Sequence, residues 1–415
     1  MNKKTLTLLF FTVLINMVGL GIIIPFVPII FKLKHFFPNG YSAQNINIIL
    51  GFLLAAYPLA QFFGAPLLGR ISDNVGRKKI LILSLFGSML GYLIFAWGIY
   101  QSSVVLLFVS RILDGFTGGN ISVAMASIAD ISADEKSKVR NFGMIGAAFG
   151  LGFIIGPAIG GTLSDGNISP YFTIVTPFIA AAVVSLINLL MVGFTLPETH
   201  TNRVKRKVTI KYTFVNIKTA FAFKQLRTVF TALFLVNLGW VLFEYFFQVF
   251  LYGKFHMLSS HIAYLFVYIG FWIVFSQGYL VRKVSNKVPP TQILKWTLLP
   301  VSILLMYVIF VDKTVMYFVL PVLAIFTGFT QPNFSAILSN STEKHSQGEI
   351  LGIRQSVVSS AQAIAPLAGG FLMNIGNISV GYQNPLITGS ILAFAGWIFI
   401  LFVKIPKKKI SFAEK

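Results

Sequence analysis

The sequence predicts an all-α integral membrane protein with 12 transmembrane helices, arranged as two six-helix bundles related by pseudo-two-fold symmetry. Composition is the first reason: of 415 residues, 56% are hydrophobic, 42 are Phe and only 11% are charged, which excludes a set of soluble domains. Apolar runs of about 20 residues or more recur without strict alternation, so they are helices rather than barrel strands. Finally, the only long polar break, Pro197 to Arg227, leaves six apolar runs on each side. The two sides match at a constant offset of 209 residues: Gly69 with Gly278, Gly119 with Gly328, Gly143 with Gly352, and Pro157, Gly160 and Gly161 with Pro366, Gly369 and Gly370. An internal repeat of membrane bundles is transporter architecture, because one half rocking against the other gives alternating access.

The spans fall at 5–31, 47–69, 79–99, 102–129, 141–163, 171–195, 227–252, 259–281, 291–311, 314–338, 348–373 and 384–404. The first run exceeds a signal-peptide core and no small-residue cleavage site follows it, so it is read as a retained span. Residues 1–196 form the N-terminal bundle, 197–226 a cytoplasmic linker, 227–404 the C-terminal bundle and 405–415 a basic cytoplasmic tail. The linker carries Arg203-Val-Lys-Arg-Lys207 and predicts a short amphipathic helix around Ile210–Phe223 on the membrane surface.

The net charge of +21 resides almost wholly between spans. Lys32, Lys34, Lys254 and Lys313 fall in odd-numbered connections, and most other basic residues lie in the termini and even-numbered ones. The positive-inside rule then puts both termini in the cytoplasm. The basic excess sets topology and touches anionic lipid rather than nucleic acid. With zero Cys there is no disulfide, thiolate metal site or cysteine nucleophile, and the five His lie in connections or, for His261, at the very start of a span. No phosphate-cradling Gly-Lys-Ser/Thr loop is present, so ATP is not the driver. Neither a cofactor nor a metal is expected.

Charges inside spans carry the chemistry. Arg111 and Asp114, three residues apart in the fourth span, share one helix face. A charge at that depth costs about 2.5–3.5 kcal/mol on insertion scales, so it is usually paired or faces a cavity. Asp114 and Glu244, on the seventh span, are the two carboxylates deep in any span. A carboxylate whose surroundings alternate between dry and Arg-paired takes up and releases a proton. Glu244 is therefore read as the main proton-coupling or cation-recognising acid, with Arg111 and Asp114 as a modulating pair. A static ion pair at Arg111–Asp114, and a structural hydrogen bond at Glu244, stay open as alternatives. Arg354, with Glu349 five residues before it, reads as a gate or structural bridge rather than a substrate contact.

The connection after the second span reads Gly69-Arg-Ile-Ser-Asp73-Asn-Val-Gly76-Arg77-Lys78-Lys79. In spacing, charge order and position it resembles the major facilitator superfamily. Gly69 permits close helix approach, Asp73 can cap a neighbouring helix, and Arg77 can pair with Asp130 at the end of the fourth span. The resemblance implies that Gly69, Asp73, Gly76, Arg77 and Asp130 latch the two halves. Arg282 stands where a second-half Asp is expected, which makes a matching latch there doubtful.

On the fifth span, Gly146, Gly150, Gly156, Pro157, Gly160 and Gly161 resemble the antiporter signature of that superfamily's drug:proton branch, and Gly19-Leu-Gly21-Ile-Ile-Ile-Pro25-Phe-Val-Pro28 matches its twelve-span efflux pattern. The Asp114-Gly115 form is similar to the tetracycline-efflux type. In such a fold the first, fourth, seventh and tenth spans line the cavity. Asn16, Asn120, Asn237, Trp240, Tyr245, Gln248, Gln331 and Asn333 lie on those spans as candidate substrate contacts, each equally a candidate interhelical hydrogen bond. Aromatics, a few amides and one acid suit an amphipathic or cationic organic molecule.

The expectation is thus a proton-gradient-driven exporter of organic small molecules, monomeric, in a bacterial inner membrane. Alternatives are a proton-coupled importer, an exporter dedicated to one metabolite or siderophore, and a non-transporting receptor on the same fold. Catalytic clusters are missing from the spans, so an enzyme is not expected.

Overall fold

The computed structural model describes residues 3–23, 36–37, 41–132, 135–200, 220–222, 226–285, 287–342, 347–376 and 381–403. Its elements are helices: α1 (Lys3–Ile23), α2 (Ala43–Val75), α3 (Arg77–Tyr100), α4 (Val104–Thr117), α5 (Asn120–Asp130), α6 (Glu135–Leu163), α7 (Thr176–Thr195), α8 (Arg227–Phe255), α9 (Ser259–Phe275), α10 (Val281–Ser285), α11 (Pro290–Phe310), α12 (Lys313–Gly328), α13 (Thr330–Asn340), α14 (Gln347–Leu372) and α15 (Asn384–Leu401). A π-turn at Ser276–Leu280 joins α9 to α10. Among the described residues, ten helical stretches are long and apolar enough to cross a membrane, and Gly150–Leu163 is a shorter apolar one.

The expected fourth and tenth spans each run through a local tightening, at Gly118-Gly119 and at Phe329, where the backbone stays right-handed helical and some N–H groups bond three residues back, as Gly119 does to Phe116 and Phe329 to Phe326. Gly119 and Gly328 stand at the constant offset of 209 residues, beside these two tightenings. Helices also outrun their apolar cores. The second span, expected at 47–69, runs from Ala43 to Val75, because Ser42 caps it by accepting from the Asn45 N–H at 3.2 Å and the helix continues through the polar Arg70–Asn74 turn. It ends at Gly76, whose φ of +107° is ground that a side chain resists. Of the first span, residues 24–31, including Pro25 and Pro28, lie outside the described residues. So do the basic run 203–207, most of the predicted linker helix, and the tail.

The chain divides into two compact units: Met1–Ile210 with Met257–Gly270, and Lys211–His256 with Phe271–Lys415. The first has a core of Leu9, Val13, Leu81, Leu85, Val123 and Val192. Phe230, Leu233, Leu298, Phe334, Val357 and Ile400 anchor the second. Large apolar side chains remain exposed on both, among them Trp97, Phe194, Trp296 and Phe318, as a lipid-facing surface requires.

Small residues let backbones touch. In the first unit α2 meets α4 and α5 through Gly64 against Phe116, Gly115 against the Tyr57 backbone, and Gly119 against Ala65. In the second, α8 meets α15 at Gly239 and Gly389. Lys254, in the last turn of α8, closes the end of α11 by donating to the carbonyls of Ile309 (2.6 Å) and Val311 (2.9 Å). Orphan carbonyls at a helix C-terminus favour such a cation.

Candidate functional site

Arg111 and Asp114 are brought together as their spacing predicts, Nη2 to Oδ2 at 3.1 Å, and both are buried. The guanidinium lies over the rings of Phe95 (4.8 Å) and Tyr57 (5.7 Å), while its Nε has no hydrogen-bond partner among the described residues. On the other side, Ser88 of α3 hydrogen-bonds Asp114. Gly91 makes room for the acid: a Cβ there would lie 2.8 Å from the Asp114 Cβ. Tyr92, also buried, sends its hydroxyl against Gly19 of α1. The pair is therefore sealed by aromatic and small residues from α1, α2 and α3. Nearby, Asn16 donates from Nδ2 to Asn120 Oδ1 at 2.6 Å, while the buried Asn120 Nδ2 has no hydrogen-bond partner among the described residues.

A second cluster forms around Arg77 at the start of α3. Its Nη1 meets Asp73 Oδ1 at 2.6 Å and Ser72 Oγ at 2.6 Å, and its Nε meets Asp130 Oδ2 at 3.1 Å. The Gly69 carbonyl lies 3.4 Å from Nη1. Asp73 thus pairs with Arg77 and does not cap a neighbouring helix. The cap on α3 is Glu198, a residue that sequence reasoning missed, whose carboxylate accepts from the N–H groups of Arg77 (2.9 Å) and Lys78 (3.3 Å). A carboxylate at a helix N-terminus satisfies orphan donors and complements the dipole. Next along the chain, His200 Nδ1 stands 3.7 Å from Asp130 Oδ2.

The glycines of α6 build a close seam with α1. Cβ atoms at Gly152 and Gly156 would collide with the Met17 and Val18–Gly21 backbone, and one at Gly21 would sit 3.0 Å from Pro157 Cδ. Gly161 packs on Ala263 and Ser260. Gly160 is buried, Gly150 is half-buried, and Gly146 lies in the same helix.

In the second unit Glu244 is half-buried on α8, hydrogen-bonded by Trp240 one turn before it, with no basic partner among the described residues. Asn237, one turn earlier again, accepts from Gln331 Nε2 at 2.7 Å, and Gln331 Oε1 in turn accepts from Arg354 Nη2. Asn237, Trp240 and Gln331 line a cavity of about 130 Å³ inside this unit. Gln248 and Asn333 are not among its lining. Both are buried and donate to carbonyls of their own helices, Tyr245 at 3.0 Å and Phe329 at 2.7 Å. The side chain of Glu349 lies outside the described residues.

Comparison with known proteins gives the same architecture. The chain is 30% identical over 401 residues to the tetracycline resistance protein, class H, of Pasteurella multocida, covering 93% of this chain and 92% of that one. It is 28% identical over 382 residues to multidrug resistance protein 2 of Bacillus subtilis (strain 168), covering 90% of each. Among solved structures, a D-xylose-proton symporter superposes with a TM-score of 0.74 over 97% of this chain and 99% of that one, at 15% identity, a likeness of fold alone. The family model described as Major Facilitator Superfamily matches residues 9–364. A chain of membrane-length helices with a buried Arg–Asp pair in a span and an Arg77 cluster at a helix end accordingly has a family: this chain belongs to the Major Facilitator Superfamily of membrane transporters.

Proposed function

We propose that this protein is a proton-coupled exporter of organic small molecules, a drug or metabolite antiporter working by alternating access. It acts as a monomer in the inner membrane of a bacterium, with both termini in the cytoplasm, and uses the proton gradient in place of any cofactor. The observation that carries the reading is Glu244: a half-buried carboxylate in a membrane span, touched by Trp240 and lacking a cation among the described residues. Such a group holds a proton or meets a cationic substrate, and alternation between the two couples their movements. Arg111 and Asp114, paired and sealed, hold the packing of the first unit and modulate that exchange. The Arg77 cluster, in which carboxylates from the α2 end and the α5 end grip one guanidinium within the first unit, supports the latch reading. The α6 seam, a tight contact with α1, supports the antiport reading. The basic excess in termini and even-numbered connections supports the orientation. Relatives named for tetracycline and multidrug resistance support export of amphipathic organic molecules.

The test is transport of tetracycline and of ethidium by purified protein in liposomes, with and without an imposed pH gradient. Movement of at least one compound that depends on the gradient is expected. Movement of neither under any gradient overturns drug export.

A further inference from the structure

Arg354 lies two turns inside α14, half-buried, and its guanidinium carries a charge at any physiological pH. Its expected partner Glu349 precedes it by five residues, with a side chain outside the described residues. Among the described residues no carboxylate pairs with it, and its Nε has no hydrogen-bond partner. What it does touch is directional. Arg354 donates to Gln331, Gln331 donates to Asn237, and Asn237 donates from Nδ2 to the Leu233 carbonyl at 2.7 Å. This chain crosses three helices and fixes both amides. It leaves donor capacity over: the second N–H of Gln331, and the hydroxyl of Thr330, which is 5% exposed with no hydrogen-bond partner among the described residues.

Both residues line the cavity of about 130 Å³, together with Asn237, Trp240, Thr327 and Gln277. Gln277 stands in the π-turn Ser276–Leu280, a local widening of the helix that frequently marks functional sites. Pockets that enclose a drug-sized molecule run to about 300–1,000 Å³, so this one takes a single end of such a molecule. Surplus donors with a guanidinium behind them select an acceptor oxygen, above all a charged one.

We propose that this cavity is the subsite for the acidic oxygen of the exported molecule, an enolate, phenolate or carboxylate. Thr330 and Gln331 make the contact, and Arg354 acts through Gln331 as the residue that sets the charge preference. The inference rests on the export reading above and names the substrate class: zwitterionic or acidic amphipathic molecules in preference to simple cations.

The test is binding to the purified full-length protein of two probes: tetracycline, which carries an ionised enol oxygen, and ethidium, a planar cation with none. For Arg354→Gln, tetracycline binding is expected to weaken about ten- to hundredfold, as loss of a hydrogen-bonding charge does, with ethidium changed less than about twofold. Arg354→Lys, which keeps the charge, restores part of the loss. Thr330→Val, a mild change that spares the chain of amides, weakens tetracycline by about fivefold. Equal loss for both probes assigns Arg354 a purely structural role and overturns the proposal, as does unchanged tetracycline binding in Arg354→Gln. Wild-type protein that binds ethidium but not tetracycline overturns the subsite and leaves export standing. Wild type that binds neither overturns the subsite and drug export together.

Discussion

Replacing Gly156 by Ala adds one methyl group at the seam between α1 and α6, and the structure fixes what that methyl meets. Its Cβ would lie 2.6 Å from the Val18 carbonyl oxygen, 2.7 Å from Gly21 Cα and 2.9 Å from Gly21 C. All three are backbone atoms, so no side chain can swing away. Restoring ordinary contact requires the helices to part by about 0.8 Å, enough to forfeit a quarter to a half of the dispersion energy along the seam. Overpacking of this kind costs about 1–3 kcal/mol. At roughly 2–4 °C per kcal/mol for a unit of this size, the melting temperature is expected to fall by about 2–12 °C. Gly193→Ala is the matched control, because nothing lies within 4 Å of a Cβ there. Ala has the higher helix propensity by about 1 kcal/mol, so that variant should melt at or above wild type. Unfolding of both variants in detergent, followed by intrinsic tryptophan fluorescence, decides the matter. If Gly156→Ala melts with wild type, the seam is not tight and its role in antiport loses its physical basis.

Asp114→Asn leaves the Arg111 charge buried without a counter-charge, at a cost of about 3–5 kcal/mol, and the double variant Arg111→Gln/Asp114→Asn recovers most of it; a double variant as unstable as the single one contradicts the sealed pair. Glu198→Gln removes the charge that closes the start of α3 and should destabilise by about 0.5–2 kcal/mol, read as a lower melting temperature. Gly76→Ala forces a side chain to φ +107° and into the Glu198 carboxylate, so it should cost more than about 1 kcal/mol; a neutral result refutes the strained turn.

The membrane helices and the Arg111–Asp114 and Arg77–Asp130 pairings were legible because hydropathy, helix periodicity and the charge order of a short motif are local signals. Gly118-Gly119 was visible as a Gly-rich tail, but only the structure shows the helix tightening there, as it does at Phe329. Glu198 escaped notice because it meets Arg77 across 121 positions, and a lone acid after a proline carries no sign of its partner. Asp73, which could have capped a neighbouring helix, lies one turn before Arg77 and pairs with that nearer charge. On spans that are apolar all round there is little contrast to say which way an amide faces. Gln248 and Asn333 therefore read as cavity candidates, although they bond to their own helices. Tyr92 and Ser88, which enclose Asp114 from α3, gave no signal beyond their presence in a span.

Coupling through Glu244 is most directly tested in liposomes by comparing two modes of transport for wild type and Glu244→Gln. One is accumulation of tetracycline or ethidium driven by a pH gradient; the other is exchange of labelled for unlabelled compound at equal pH on both sides. If Glu244 carries the proton, the substitution abolishes gradient-driven accumulation while exchange continues. Accumulation by Glu244→Gln at the wild-type rate contradicts the account, and the coupling proton must then be carried elsewhere.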